Sequence, residues 1–290
     1  MHQRSIGNDV VGRVQVGAIG MGVMPLSTKD PRPSAEEATA VVHAALDAGV
    51  TLFDTADAYS WDEAEFGHNE ELLARALEGR GDGVLVATKG GHTRQGTEWH
   101  VDGSAAYLRT AVEGSLRRLG VDAIGLYQYH RPDPATPWDD VMGTMRELHD
   151  AGKVRMVGIS NADVAQIDSA RAIVGDALVS VQNQFSPAWN SSLDELRHCA
   201  AHGLAWLPWS PFGGVSAAPS LGSSAAEFTA VAEELGVSVY QATLAWHLAQ
   251  ADVVVPIPGA SRVESIVDSA AAADIVLSAE QKARLDAVLH

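Results

Sequence analysis

The sequence predicts an α/β protein: a (β/α)8 TIM barrel with an N-terminal β-hairpin and a C-terminal helix, forming one domain over residues 1–290. Three observations lead there. Short β-branched runs alternate with longer amphipathic ones along the chain, at spacings of roughly 25 to 50 residues. The short runs are continuously apolar, as in parallel strands buried on both faces. Polar residues recur where these runs end, which is where barrels of repeated strand and helix carry their chemistry.

Eight runs read as strands: VGAIG near residue 18, TLFDT at 51, VLVAT at 84, IGLYQY at 124, RMVGIS at 155, LVSVQNQ at 178, LAWLPW at 204 and VVVPIP at 253. Helix signals lie between them. Ser34-Ala-Glu-Glu37 spells a capping box leading into ATAVVHAALDAG, and Gly49 follows its last turn. Comparable patterns occur at SAAYLRTAVEGSLRRLG, PWDDVMGTMRELHDAG and NADVAQIDSARAIVG. Residues 10–17, VVGRVQVG, read as a hairpin with Gly12-Arg13 near its turn, placed to plug the barrel bottom. Residues 278–289 read as a terminal helix with a capping box from Ser278 to Gln281. The longest stretch without periodicity, 211–224, reads as a lid or binding loop.

Composition narrows the function classes. A chain of 290 residues with 46% hydrophobic content buries one large core. No run of about 18 apolar residues is present and the first ten residues lack a signal-type apolar region, so the expectation is a cytoplasmic protein with no membrane span. Cys199 is the sole cysteine, which excludes an internal disulfide framework; it reads as a packing residue. A formal charge of −17 argues against nucleic acid or an anionic membrane as partner, because those need a basic footprint. It does not exclude an anionic nucleotide held by backbone N–H groups and one or two arginines.

Four polar residues stand where successive strand-like runs end: Asp54 and Tyr59 in TLFDTADAYS, Lys89 in VLVATKGG, and His130 in IGLYQYHRPDP. Taken singly, each has a plain structural reading: a strand-end cap, a loop aromatic, a solvated charge and a turn-fixing ring. Their joint recurrence points to an enzyme. The strings FDTADAY, ATKGG, YQYHRPDP, GKVRMVGISN, VQNQFS, PWSPFGG and PIPGASR, running from about Val16 to Ser269, together resemble the aldo-keto reductases in order and spacing. The resemblance implies a barrel that binds a nicotinamide cofactor and moves a hydride between it and a carbonyl or alcohol. A Gly-rich strand-to-helix turn is absent; Gly17-Ala-Ile-Gly-Met-Gly22 lacks that context.

The side chains suit that chemistry. Hydride delivery to a carbonyl carbon builds charge on oxygen, so a donor must face the oxygen and release a proton to it. Tyr59 fills that role. Lys89 beside it is expected to lower the phenol's pKa, Asp54 to keep Lys89 charged, and His130 to orient the carbonyl. By resemblance, Ser160, Asn161 and Gln182 hold the nicotinamide carboxamide, Asn161 also reading as the N-cap of the next helix. Trp209 stacks on the ring, and Ser210, Phe212 and Gly213 contact the pyrophosphate. Gly22 and Gly259 lie against the cofactor, and Ser261, Arg262, Ser265, Asp268 and Ser269 surround its adenosine end.

Arg262 favours NADP, with NAD as the alternative. Met24, Trp61, His92, Trp99 and Trp189 are expected to line the substrate pocket, closed by loops 93–103 and 211–224 and, with the chain stopping at His290, more open than in relatives with longer tails. The remaining histidines, including His43, His149, His202 and His247, read as surface or packing residues, and no metal is expected. The expected partner is a small carbonyl substrate, and the protein a monomer or weak homo-oligomer. An NAD(P)-dependent sugar or lactol dehydrogenase, and a non-catalytic nucleotide-sensing subunit, are the competing readings.

Overall fold

The computed structural model describes residues 1–214 and 217–288. Seven parallel strands follow one another in chain order: β1 (Met21–Gly22), β2 (Leu52–Asp54), β3 (Leu85–Gly90), β4 (Ile124–Tyr129), β5 (Val154–Ser160), β6 (Leu178–Gln182) and β7 (Ala205–Trp206). Each of the intervening segments carries helix, so neighbouring strands connect by crossovers on one side of the sheet. The first run was expected near residue 18, but regular pairing starts three residues later, at Met21 against Phe53.

The eighth run closes the barrel without forming a regular ladder. Val255 donates to the Trp206 carbonyl at 2.8 Å and Ile257 to that of Pro208 at 3.3 Å. On the other edge, the carbonyls of Pro256 and Pro258 accept from Gly20 at 2.9 Å and Gly22 at 3.1 Å. Both prolines lack the N–H that would return those bonds, so half of the pairing toward β1 cannot form. Only isolated bridges remain, Trp206 with Val254 and Gly22 with Gly259. The closure also depends on small residues: a Cβ on Gly259 would sit 2.9 Å from the Pro25 ring, and one on Gly22 3.1 Å from the Ile257 carbonyl oxygen.

The barrel interior is apolar below and polar above. Leu52, Leu85, Ala87, Leu126, Met156, Val179, Ala205, Leu207, Val255 and Ile257 form one buried cluster drawn from β2 onward. The N-terminal hairpin joins it from below through Ile6 and Val16, both fully buried. That hairpin is longer than expected: it pairs Gln3–Asn8 with Gly12–Gly17, so its turn precedes Gly12-Arg13. Because side chains alternate along a strand, the rows that start with Leu52, Leu85 and Leu126 continue upward to Asp54, Lys89 and Gln128.

The helices pack outside on a second, larger cluster that includes Trp246, Phe185, Phe228 and Met142. The capping box of Ser34 and Glu37 is present at the start of the helix Ala35–Asp47. So is that of Ser278 and Gln281, on a helix that spans Ala279–Asp286; residue 289 of the expected helix lies outside the described residues. Of the expected 211–224 lid, residues 215 and 216 also lie outside them, and Leu221–Ser224 forms a short helix. Segment 93–103 is not an open loop: His92–Gln95 pairs antiparallel with Glu98–Val101. Among the described residues, no helix is long and apolar enough to cross a membrane.

Candidate active site

At the top of the barrel lies a buried charge. Lys89 is fully buried and donates to Asp54 Oδ1 at 2.5 Å, to the Thr55 carbonyl at 2.9 Å and to the Tyr59 phenol oxygen at 3.1 Å. Burial alone would lower its pKa; Asp54 and Tyr59 more than offset this and hold the ammonium above its usual value. Asp54 is satisfied in turn: its Oδ2 accepts from Gln182 Nε2 at 2.8 Å and from Gln128 Nε2 at 3.0 Å. Gln128 reaches it because β5 offers no side chain at Gly158, where a Cβ would lie 2.8 Å from Gln128 Cγ. Removing one partner of such a buried pair costs about 3–5 kcal/mol, so these contacts lock one another.

Tyr59 sits in the loop after β2. Burial pushes its phenol up and Lys89 pulls it back only in part, so the expectation of a lowered pKa is corrected: the net shift is upward. At neutral pH the phenol is protonated. The loop is braced from beneath by Asn69, whose Nδ2 donates to the Val23 carbonyl at 2.9 Å and to Ser27 Oγ at 2.7 Å, while its Oδ1 accepts from Thr55 at 2.6 Å. Arg94 of the 92–101 hairpin spans the loop from above, donating to the carbonyls of Ser60 and Trp61 with its guanidinium 3.7 Å from the Trp99 ring centre.

One neutral imidazole stands against the phenol and a second packs on the first. His130 follows β4, with its ring centre 5.5 Å from that of Tyr59. Burial, then Lys89, then His92 drive its pKa well below the ordinary value. His92 lies 4.4 Å away, ring centre to ring centre, and is pushed down to about 4 by burial and the nearby Arg131, Lys89 and Arg94. The Nδ1 atoms of both rings are buried without a partner.

A cavity of about 550 Å³ opens above these groups. It brings together Gly22, Met24, Asp54, Tyr59, His92, Trp99, His130, Ser160, Asn161, Gln182, Trp209, Ser210, Phe212 and Gly259, all expected from the sequence. Ser160 ends β5 and Asn161 follows it; Ser160 Oγ donates to the Gln182 carbonyl at 2.6 Å, and Asn161 Nδ2 to the His130 carbonyl at 3.0 Å. Asn161 does not cap the following helix, because Asp163 does so with a capping box to Gln166. Asn161 and Ser210 are the only described non-glycine residues with positive φ, at 59° and 51°, and both line the cavity. Strained backbone of this kind concentrates at functional sites.

Other expected residues fall outside the cavity wall. Trp189 is 52% exposed and bridges back to Ser186, away from the pocket. Trp61 lines an adjoining hollow of about 380 Å³ with Lys29, Arg94 and Thr97. Gly213 gives its N–H to the Ser210 carbonyl at 2.9 Å, so it has none to offer a phosphate; Gly214 lines the wall instead. Ser261, Arg262, Ser265, Asp268 and Ser269 gather beyond the rim. Asp268 accepts from Ser238 Oγ at 2.7 Å, Ser269 is buried, and Arg262 donates to Ser265 Oγ at 3.3 Å.

Sequence reasoning missed Arg131, Pro25, Pro211, Gly214, Ala218 and Ile257 in the wall, and Gln128 behind it. It also missed Lys29, which donates to Ser261 Oγ at 3.1 Å. Gln128 was legible in principle, two residues before His130 on the same inward row. Lys29 carried no such signal.

A second polar layer lies outside the barrel wall. Asp57 is fully buried, and its Oδ2 meets the Tyr107 hydroxyl at 3.0 Å, which also lies 3.0 Å from the His92 carbonyl. The Tyr107 hydroxyl donates to Asp57 Oδ2 and also faces the His92 carbonyl, so its one proton is shared between two acceptors. Burial, reinforced by Glu70, raises the Asp57 pKa well above its ordinary value, and the hydrogen bond from Tyr107 lowers it only in part. Glu70 itself is paired with Arg118 at 2.6 Å.

Comparison with known proteins places this arrangement among relatives. Residues 18–290 match the model of the "Aldo/keto reductase family". The chain is 34% identical over 280 residues to an uncharacterized oxidoreductase of Schizosaccharomyces pombe, covering 95% of this chain and 88% of that one. It is 35% identical over 269 residues to the 6-dehydroglucose reductase of Novosphingobium aromaticivorans, covering 89% and 87%. The crystal structure of an aldo/keto reductase from Klebsiella pneumoniae with NADP and acetate superposes with a TM-score of 0.79 at 29% identity, over 95% of this chain and 92% of that one.

The burial of Asp57 beside Glu70 makes a prediction. A carboxyl protonated in the fold and ionised when unfolded gives stability that is full below about pH 4 and is lost as pH rises through the raised folded value. Asp57→Asn carries no such proton. In urea denaturation between pH 5 and 8, wild type should lose stability relative to the variant by up to about 1.4 kcal/mol per pH unit. A constant difference across that range would show Asp57 ionised in the fold.

Proposed function

Because this chain belongs to the aldo/keto reductase family, we propose that it is an NADPH-dependent reductase that converts an aldehyde or ketone to the alcohol, with Tyr59 as proton donor. The observation that carries the proposal is the contact of a buried, charged Lys89 with both Asp54 and the Tyr59 phenol at the floor of the cavity.

The residues present fit a nicotinamide nucleotide. Ser160, Asn161 and Gln182 supply amide and hydroxyl groups at one end of the cavity, beside the half-buried Trp209, whose indole N–H has no partner. Gly22 and Gly259 keep the neighbouring wall free of side chains. When bound, the cofactor supplies the hydride. The Klebsiella structure holds NADP, which supports the same choice here.

The rest of the chemistry belongs to the chain's own groups. His130, neutral and edge-on to Tyr59 in the cavity wall, orients the carbonyl oxygen against the phenol. As charge develops on that oxygen it becomes more basic than a phenolate, so Tyr59 gives up its proton despite its raised pKa. Lys89, 3.1 Å from the phenol oxygen, stabilises the phenolate left behind, and Asp54 keeps Lys89 charged throughout. Burial excludes water from all four groups and strengthens each of these interactions. For the substrate, the aromatic wall of His92 and Trp99 suits a compact ring or planar carbonyl. Similarity to a 6-dehydroglucose reductase supports a sugar-derived carbonyl as the first class to assay.

Phosphate selectivity rests on two cations. Of the four lysines, Lys89, Lys153 and Lys282 are each paired with a carboxylate. Lys29 pairs with none among the described residues; it reaches across to Ser261, next to Arg262. Both are available to a 2′-phosphate.

Two tests follow. Tyr59→Phe should lower turnover by roughly 10²–10⁴ with NADPH affinity nearly unchanged, measured by stopped-flow and by quenching of tryptophan fluorescence; near-full turnover would remove Tyr59 as donor. Arg262→Ala and Lys29→Met should each weaken NADPH far more than NADH in the same titration, whereas equal losses of both would remove them from phosphate recognition.

A further inference from the structure

On the outside of the barrel, His198 and His202 stand at i and i+4 on the helix Leu193–His202, and so share one helix face. Their ring centres are 4.5 Å apart. Asp168 reaches them from the neighbouring helix Val164–Val174, with Oδ1 2.8 Å from His198 Nε2. One ligating atom from each of the three residues lies within 4.8 Å of the others.

The spread is close to what one ion requires. Bonds of about 2.0–2.2 Å to zinc place two ligands roughly 3.3 Å apart in a tetrahedron, so side-chain rotations moving atoms by about 1 Å complete the site. The electrostatic setting favours a cation. His202 ends its helix, where backbone carbonyls are left over and the helix dipole is negative. Glu195, one turn before His198, keeps Oε2 buried without a partner. Against this stands Arg171, whose Nη1 lies 3.1 Å from the same Asp168 oxygen. Asp168 and His202 are exposed and His198 partly so, which leaves an entry path and room for water as the remaining ligands.

We propose that Asp168, His198 and His202 form a binding site for a late first-row divalent cation of the Zn²⁺ class, which pins two outer helices together. Two imidazoles and one carboxylate select such ions over Mg²⁺ and Ca²⁺, which prefer all-oxygen sites. None of the three residues lines the cavity above the barrel, so the site is separate from the proposed reductase site. Cys199 does not compete, since it is buried with its thiol pushed up to about 12 by burial. The sequence raised no metal expectation because the His-x-x-x-His spacing lacks a nearby third ligand; the fold supplies one from 30 residues earlier.

The test titrates chelator-stripped full-length protein with zinc chloride, by calorimetry and by thermal unfolding. The expected result is one ion per chain, a Tm rise on the order of 5 °C at a hundredfold excess over Kd, and no response to magnesium chloride. His202→Ala, at an exposed helix-terminal position that does not threaten folding, and Asp168→Asn should each weaken zinc by roughly 10–100-fold or more. Metal-free turnover should remain at the wild-type level in both. Absence of zinc binding, or equal affinity in wild type and His202→Ala, would overturn the site.

Discussion

The structure depends on keeping an ammonium charged inside a barrel that excludes water. A lone buried charge of this kind costs several kcal/mol, and Lys89 persists because every one of its donors has a partner in the loop and strand beside it. The requirement then spreads outward. Asp54 needs two amides, Gln128 needs the space that Gly158 leaves, and Gln182 must stand at the end of β6. One ion pair thus fixes residues on β2, β3, β4, β5 and β6.

That pair sits where it does because strand geometry puts it there. On β2, β3 and β4 the two-residue period carries the inward row from leucine at the bottom to a polar group at the top, and the hairpin's Ile6 and Val16 seal the lower end. Charge is thereby confined to the open mouth, where loops can reach it. The loop after β2 is held from below by Asn69 and from above by Arg94, and two left-handed residues, Asn161 and Ser210, turn the backbone into the cavity wall. Rigid support beneath and strained backbone at the rim produce a preorganised pocket.

Most of the barrel was legible in the chain because continuous apolar runs and capping boxes are local signals. The eighth strand was found as a run but not as an irregular one; its alternate prolines, Pro256 and Pro258, already implied lost donors. The inner wall of the site was legible for the same reason as the strands: Asp54, Lys89 and His130 end apolar runs. What escaped were contacts set by loop paths. Trp189 turned outward, Gly213 spent its N–H on Ser210, and Lys29 met Ser261 across 232 residues. The direction of the Tyr59 shift escaped too, since burial outweighing a neighbouring charge is a property of the folded pocket.

The central claim is that the buried Lys89 ammonium serves proton release from Tyr59, beyond holding the barrel mouth together. It is tested most directly by single-turnover oxidation of bound NADPH in Lys89→Met, with cofactor binding measured on the same sample. The account predicts that NADPH still binds and that its oxidation by a carbonyl slows by roughly 10²–10⁴, the range for loss of general acid–base assistance. Oxidation at the wild-type rate in a variant that binds NADPH normally would contradict it.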